Sequence, residues 1–482
     1  MKTLKTKLLL SVALSAMLSG TAFAQSNQAY IDQLGSNNTA SIDQPGANNV
    51  AGTSGNRMVQ DGRSGANDPS SNRLTIDQIG DNNSIGASGD GLDQILADQT
   101  VGVRTLAYPN EATLTQNSSG NTVGSVRQFV TNNAKITSAN SLTVTQGDAM
   151  GAGDGNTIDV VSQTVQTGGG ANEATVSQTG AGNTIARVSQ LSLRDPNGTP
   201  DPNTINVSIT GDNNGNGTLT GPAAVRRNPN NSGDVLADST LIQDNPGVSA
   251  TNNPSYGNDI GLTISGNNNE FAIGQFGYLN NASNVLITND DNQVGIRQQG
   301  DNNTVDPLNV AGAFNNIGVN QLGTFNVASI GAIDGDGNSV DVDQDGTNTT
   351  QIDIIGVGSS NNYVDLDQTG TNSAIVGIVG SNNGDGSSLF TGDALSASSG
   401  LISGQIIQDG SNTLTFNIED TRPSGDGSGD GNLFAFTQNG AGNDITGVQN
   451  GDNNQAAVTQ VGASNMANFS QVGTGNNAGI TQ

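Results

Sequence analysis

Polar and apolar residues alternate with period two along short stretches of this chain. In Asn38-Thr-Ala40-Ser-Ile42-Asp-Gln44 one parity holds Asn38, Ala40, Ile42 and Gln44, and the other holds Thr39, Ser41 and Asp43. That alternation predicts half-buried strands. The same register returns in Asn338-Ser-Val340-Asp-Val342-Asp-Gln344 and in Asn362-Tyr-Val364-Asp-Leu366-Asp-Gln368, with aspartate on the outward parity each time. Between such stretches lie Gly35-Ser-Asn37-Asn38, Gly80-Asp-Asn82-Asn83, Gly300-Asp-Asn302-Asn303 and Gly451-Asp-Asn453-Asn454. Glycine and asparagine enter left-handed backbone conformations at low cost, so these are predicted turns.

A strand and a turn together make an 11-residue unit, and Gln438, Gln449, Gln460, Gln471 and Gln482 recur at that interval. Asn and Gln six residues apart recur throughout, as in Asn27/Gln33, Asn110/Gln116, Asn172/Gln178, Asn292/Gln298 and Asn432/Gln438. In the middle of the chain the glutamines stand 23 apart, at Gln275, Gln298, Gln321 and Gln344, and the next is Gln368. There the alternate half-unit persists in altered form, as Asn326-Val-Ala328-Ser-Ile330 and Asn348-Thr-Thr-Gln-Ile352-Asp-Ile354. The expected fold is all-β: a β-solenoid of stacked 22–23-residue two-strand coils, about 15 to 20 of them, with amyloid-like cross-β stacking. Inward Gln and Asn would then bond to their counterparts on neighbouring coils as ladders. An unpaired buried amide costs roughly 1 to 3 kcal/mol, which explains why the same letters recur. Exposed sheet edges are usually blunted by charges, prolines or a cap, whereas the repeats around Asn27 and Gln482 are among the most regular in the chain, an expectation of further stacking.

Composition narrows the class. Lys2, Lys5 and Lys7 precede the apolar run Leu8 to Leu18, and Ala22-Phe23-Ala24 supplies a small-x-small site, so residues 1–24 read as a secretory signal peptide. The chain has 67 Gly, 11 Phe, 5 Tyr and no Cys, Trp or His, too few large side chains for a thick globular core. A net charge of −28 disfavours nucleic acid and anionic lipid as partners. Without His or Cys there is no thiolate nucleophile, histidine-based triad or conventional zinc site, and no catalytic, cofactor-binding or metal-binding residue is assigned; no cofactor is expected. Asp341/Asp343 and Asp365/Asp367 fall on an outward strand face, read as flat solvated surface instead of a glycosidase pair. Asp343 and Asp367, each just before a repeat glutamine, are expected to stack one coil apart, where divalent cations or protonation would relieve their repulsion. Asp334-Gly-Asp336-Gly-Asn338 and Gly425-Asp426-Gly-Ser-Gly-Asp430 read as acidic turns. An ice-binding or mineral-binding face is disfavoured because no Thr-x-Thr column is evident along the chain.

The pattern Gln-x-Gly-(x2)-Asn-x-Ala-(x3)-Gln resembles the curlin repeat of curli fibre subunits, the secreted functional amyloids of Gram-negative biofilms. It is matched by Gln33-x-Gly35-(x2)-Asn38-x-Ala40-(x3)-Gln44 and Gln449-x-Gly451-(x2)-Asn454-x-Ala456-(x3)-Gln460, then by Gln460-x-Gly462-(x2)-Asn465-x-Ala467-(x3)-Gln471. The resemblance implies that Gln33, Asn38, Gln44, Gln449, Asn454, Gln460, Asn465, Gln471, Asn476 and Gln482 are structural ladder residues. It also implies copies of itself or related subunits as partners, curli-type export and nucleation factors, and an extracellular fibre in biofilm matrix and adhesion. The alternative is a cell-surface solenoid adhesin, or a minor or nucleating component, favoured by the irregular middle. The expected organisation is a signal peptide (1–24), N-terminal repeats (25–190), an irregular Pro/Gly/Asn-rich stretch (191–254), central 23-residue repeats (255–382), a Ser/Gly-rich insertion (383–400) and C-terminal repeats (401–482). The insertions are expected to bulge from the side of the stack.

Overall fold

The structure, a computed structural model, describes residues 26–35, 38–62, 72–88, 91–96, 110–130, 140–148, 155–165, 170–192, 202–225, 236–245, 257–356, 358–419 and 429–482. Residues 1–24, read above as a signal peptide, nearly all of the Arg194 to Pro202 stretch and residues 425–428 lie outside these.

Parallel strands dominate the described residues, and through the middle of the chain each pairs with the strand two positions on, while the split strands near the N-terminus pair three positions on. The chain thus lays down two columns alternately. Strands Gln293–Gln299, Asn316–Gly323, Ser339–Gly346 and Tyr363–Gly370 stack in the first, in register. Asn281–Thr288, Thr304–Val310, Val327–Ile333 and Thr349–Ile354 stack in the second. This is a solenoid-like repeat architecture with the predicted parity, since Val340, Val342, Val364 and Leu366 are buried and the alternate residues face outward.

Two features differ from the expectation. The 32 strands among the described residues form one continuous sheet wrapped around a narrow core, nearly closing in cross-section, in place of two separate facing sheets. The long strands Gln405–Glu419 and Leu433–Asn450 each run through both columns, because the corner residues Gly410 and Ser411 keep their pairing with Gly440 and Ala441. Coil length also varies widely. Near the N-terminus one first-column strand is split in two, Ser84–Ile85 and Leu92–Leu96, and both pieces pair with the single strand Thr122–Val130 of the next coil. Extra residues leave either between strands or between the ladder Asn and the ladder Gln of one strand, and in both cases the chain returns to the same register.

The Gln-x-Gly element owes its glycine to this corner. Gly300, Gly323, Gly346, Gly370, Gly410 and Gly440 all have positive φ. They also stack so closely that a Cβ on Gly300 would stand 1.9 Å from the Gly323 carbonyl oxygen. The corner therefore demands both left-handed backbone and the absence of a side chain. The asparagines one residue before the ladder, such as Asn82, Asn302 and Asn453, take left-handed backbone as well. Replacing Gly300 by valine is expected to open the stack locally: amide exchange across 298–305 and 321–327 should accelerate at least tenfold, while that across 84–86 stays unchanged.

Candidate functional site

The core polar residues form continuous ladders. In the first column Gln33, Gln60, Gln94, Gln128, Gln163 and Gln190 lead to Gln243, Gln275, Gln298, Gln321, Gln344 and Gln368. The run then continues through Gln408, Gln438 and Gln460 to Gln482. Each Nε2 donates to the Oε1 of the next glutamine, at 2.7–3.1 Å. The second amide proton ties the columns together, as when Gln298 Nε2 donates to the Asn281 carbonyl and Gln321 Nε2 to that of Thr304. These glutamines are almost all fully buried and fully paired.

Asparagine ladders flank both columns. Asn292 Oδ1 accepts from the backbone N–H and Nδ2 of Asn315, and Asn315 Oδ1 accepts likewise from Asn338. The remaining Nδ2 proton goes to a corner carbonyl, as from Asn280 to Gly300 and from Asn303 to Gly323. The repeat aspartates also serve turns. Asp81, Asp301 and Asp336 each accept, through Oδ1, an N–H from the turn of the preceding coil, donated by Ala47, Tyr278 and Ala313. Asp336 therefore acts as a turn acceptor in the run read as an acidic turn.

The second column departs from this pattern in an informative way. Gln44, Gln78, Gln116, Gln146 and Gln178 form a ladder. Ile209, Ile264, Ile287, Val310, Ile333 and Ile354 then occupy the same rung position, followed by Ile378 and Ile418, before Gln449 and Gln471 restore it. An aliphatic column needs no partner, so whole ladders can be exchanged for it. The cost falls at the junction: Gln449 Oε1 lies above Ile418 and is buried without a donor.

All ten ladder residues named from the repeat pattern lie on these ladders. Gln60, Gln94, Gln128, Gln163, Gln190, Gln243 and Gln408 were missed, because insertions between the ladder Asn and the ladder Gln, or an extra strand residue, break the six-residue spacing. Their signal was an isolated inward-parity Gln within an apolar stretch, as in Val126-Arg-Gln128-Phe-Val130.

The aspartates do stack. Asp341 lies in register with Asp365, and Asp343 with Asp367. Their surroundings are not the flat face expected. A segment carrying Gly221, Pro222, Ala224 and Val225 covers the sheet beside them and leaves a cavity of about 310 Å³ lined also by Asn320, Asp341 and Asp343. Asn320 Nδ2 donates to Asp343 Oδ1 at 2.9 Å and receives a bond from buried Arg297. Tyr363 donates its hydroxyl proton to Asp365. Burial first, then the charges of Asp343 and Asp365, push the Asp341 carboxyl up to about 7. Burial and Asp343 also raise Asp367. No group of three or more Asp, Glu, His or Cys side chains suited to a metal ion occurs among the described residues. Thr-x-Thr pairs do come together on the second column, where Thr113/Thr115, Thr143/Thr145 and Thr175/Ser177 stack in register. That short array is invisible along the chain because insertions separate its rows.

Residues 24–46 and 312–346 match the family model of the Curlin associated repeat. No curated protein matches the chain. The matched segments contain Gln33, Asn38 and Gln44, and Asn315, Gln321, Asn326, Asn338 and Gln344, all of them ladder residues.

Substitution of Gln321 by leucine leaves Gln344 Oε1 buried without a donor, so a loss of roughly 1 to 3 kcal/mol is expected. Ile287 to leucine, on the aliphatic column, should cost less than about 1.5 kcal/mol. Urea unfolding distinguishes the two. The raised Asp341 pKa means that the folded state holds this proton more tightly than the unfolded chain, whose value is near 3.8. Stability should therefore fall as pH rises from about 4 to 7, and Asp341→Asn should flatten that fall and raise the melting temperature at pH 8.

Proposed function

We propose that this chain is an extracellular, non-catalytic structural protein of curlin-repeat type. Within that class it acts as a cell-surface solenoid adhesin, or as a minor or nucleating fibre component, and not as the bulk polymer. The observation that carries this reading is the combination of an unbroken first-column glutamine ladder with coils that are not interchangeable. Successive first-column glutamines are 22 residues apart between Gln438 and Gln460 but 53 apart between Gln190 and Gln243. A bulk subunit gains from coils that can replace one another. Here the repeated core of each coil is joined to the next by a connection of different length and sequence.

The ladders support self-association or pairing with related subunits, because any coil offering Gln and Asn at the same positions can continue the hydrogen bonding. The coils then form an elongated cross-β solenoid that presents its corners laterally. Export through a curli-type pathway and residence in a biofilm matrix accompany this reading. So do the division of the chain at 191–254 and 383–400 and the removal of residues 1–24.

The test is refolding of the chain from Gln25 onward at neutral pH, alone and mixed with a regular curlin-repeat subunit, followed by electron microscopy and fibre diffraction. The expected result is discrete particles alone and a shortened lag, or side binding to fibres, in the mixture. Unbranched fibres from the chain alone, with a meridional reflection near 4.8 Å, would return the bulk-polymer role to it.

A further inference from the structure

Two insertions share a design that neither the repeat nor the family match describes. Asn213-Asn-Gly215-Asn-Gly217-Thr-Leu219-Thr220-Gly-Pro-Ala223 leaves the first column after ladder residue Asn214. Asn382-Asn-Gly384-Asp-Gly386-Ser-Ser-Leu-Phe390-Thr391-Gly-Asp-Ala394 leaves it after Asn383. Both begin with a left-handed Asn at 213 or 382 and a left-handed glycine at 215 or 384. Each of those glycines is packed so that a Cβ would lie 2.2 Å from a carbonyl of the coil before, that of Thr184 or Tyr363. From there each segment turns forward along the stack.

The landing sites correspond atom for atom. The Thr220 N–H and Oγ1 both donate to Gln293 Oε1, at 2.8 Å. Asn316 accepts from the Ala223 N–H at 2.7 Å and donates to the Thr220 carbonyl at 2.7 Å. In the second copy the Thr391 N–H and Oγ1 donate to Gln455 Oε1, at 2.8 and 3.0 Å. Asn477 accepts from the Ala394 N–H at 2.8 Å and donates to the Thr391 carbonyl at 2.7 Å. Gln293 pairs with Asn316 on the next coil, as Gln455 does with Asn477.

The apolar contacts repeat as well. Leu219 and Ala223 pack with Ala272 on the intervening coil, and Phe390 and Ala394 pack with Ala435 at the equivalent place. Beneath the tip the sheet must lack a side chain. A Cβ on Gly318 would stand 2.1 Å from the Pro222 carbonyl oxygen, and one on Gly479 would stand 2.0 Å from that of Asp393. Gly221 and Gly392, at the centre of each tip, have φ of 55° and 52°.

Counted along the asparagine ladder, the first segment starts at Asn214 and crosses the coil of Asn269. It then grips the residues after Asn292 and Asn315. The second starts at Asn383, crosses the coil of Asn432 and grips the residues after Asn454 and Asn476. Both therefore hold the second and third coils ahead.

We propose that residues 213–223 and 382–394 are two copies of one clasp, a Thr-Gly-x-Ala tip with a two-coil receptor of Gln and Asn, which fixes the order in which coils stack. The need for such a device follows from the ladders. Coils that all offer the same Asn and Gln pair almost as well with a wrong neighbour, and a uniform stack specifies its succession weakly. A tether of fixed length that recognises Gln on one coil and Asn on the next admits one succession only. Ser339 and Tyr363, the residues at the same position on the next two coils, cannot substitute, since neither carries the paired amide donor and acceptor.

Two measurements on the full chain test this. Asn316→Ala removes the tip's acceptor from an outward position, and Gly318→Ala obstructs the tip. Each should accelerate amide exchange across 217–225 at least tenfold and leave 388–397 unchanged, whereas Asn477→Ala should do the reverse. Protection of 217–225 unaltered in both Asn316→Ala and Gly318→Ala would overturn the recognition scheme. For coil order, Leu286→Cys and Asn309→Cys place thiols on in-register neighbours. Crosslinking after refolding should be near complete with the clasps intact and fall at least twofold when Asn316→Ala and Asn477→Ala are combined. Crosslinking that stays complete would overturn the ordering role.

Discussion

Everything in this fold depends on the rule that a buried amide must be paired. Gln and Asn side chains carry two donors and one acceptor each, and a thin core offers no water to satisfy them. The solution is translational: the group that satisfies each amide is the same amide one coil along. Parallel in-register pairing is then required, because any shift by one residue moves the amides to the outer face. The corner glycines follow from the same requirement. Where the chain turns directly after the ladder Gln, as at Gly300 and Gly323, the corner carbonyl comes within contact of the next corner and only glycine fits; where the strand runs on, as at Val130 and Val165, a side chain is accommodated.

The aliphatic run of the second column shows how far the rule extends. From Ile209 to Ile418 the glutamine ladder is absent, and the aliphatic residues still pair rung to rung although local bulges interrupt several of the strand pairs. A mixed boundary is tolerated where the ladder ends on its donor side, as at Gln178 against Ile209, and leaves an oxygen unpartnered where the ladder resumes, at Gln449 above Ile418. The phenylalanines Phe416, Phe434, Phe436 and Phe469 cluster in the coils around that boundary, with ring centroids 4.8 to 6.3 Å apart. Aromatic packing of this kind stabilises the coils where amide pairing is incomplete.

Much of this was legible in the chain. Period-two alternation located the strands, and a repeated Asn-to-Gln spacing located both kinds of ladder wherever the coil was uninterrupted. Gln243 and Gln408 escaped because a clasp is inserted between each and its Asn, and distance along the chain carries no information about a residue restored to register after a detour. The clasps read only as irregular insertions, although both carry Asn-Asn-Gly-x-Gly with Thr-Gly-x-Ala a few residues on. Their partners, Gln293 and Asn316 among them, look like ordinary outward strand residues until the stack brings them together. The raised pKa of Asp341 was hidden for a similar reason: it arises from a covering segment more than a hundred residues away.

The ladders also have a direction. Every first-column glutamine donates toward higher residue numbers, and every ladder asparagine accepts from that side, so the two faces of a coil are chemically unlike. One face offers amide protons from glutamine and the other offers the matching oxygens. Two such stacks brought together by a twofold axis would set like against like, oxygen facing oxygen. The bonding is satisfied only when the leading face of one meets the trailing face of the other, a heterologous contact. Any assembly that extends the ladders is therefore polar, with unlike ends, and has no symmetric dimer along its axis.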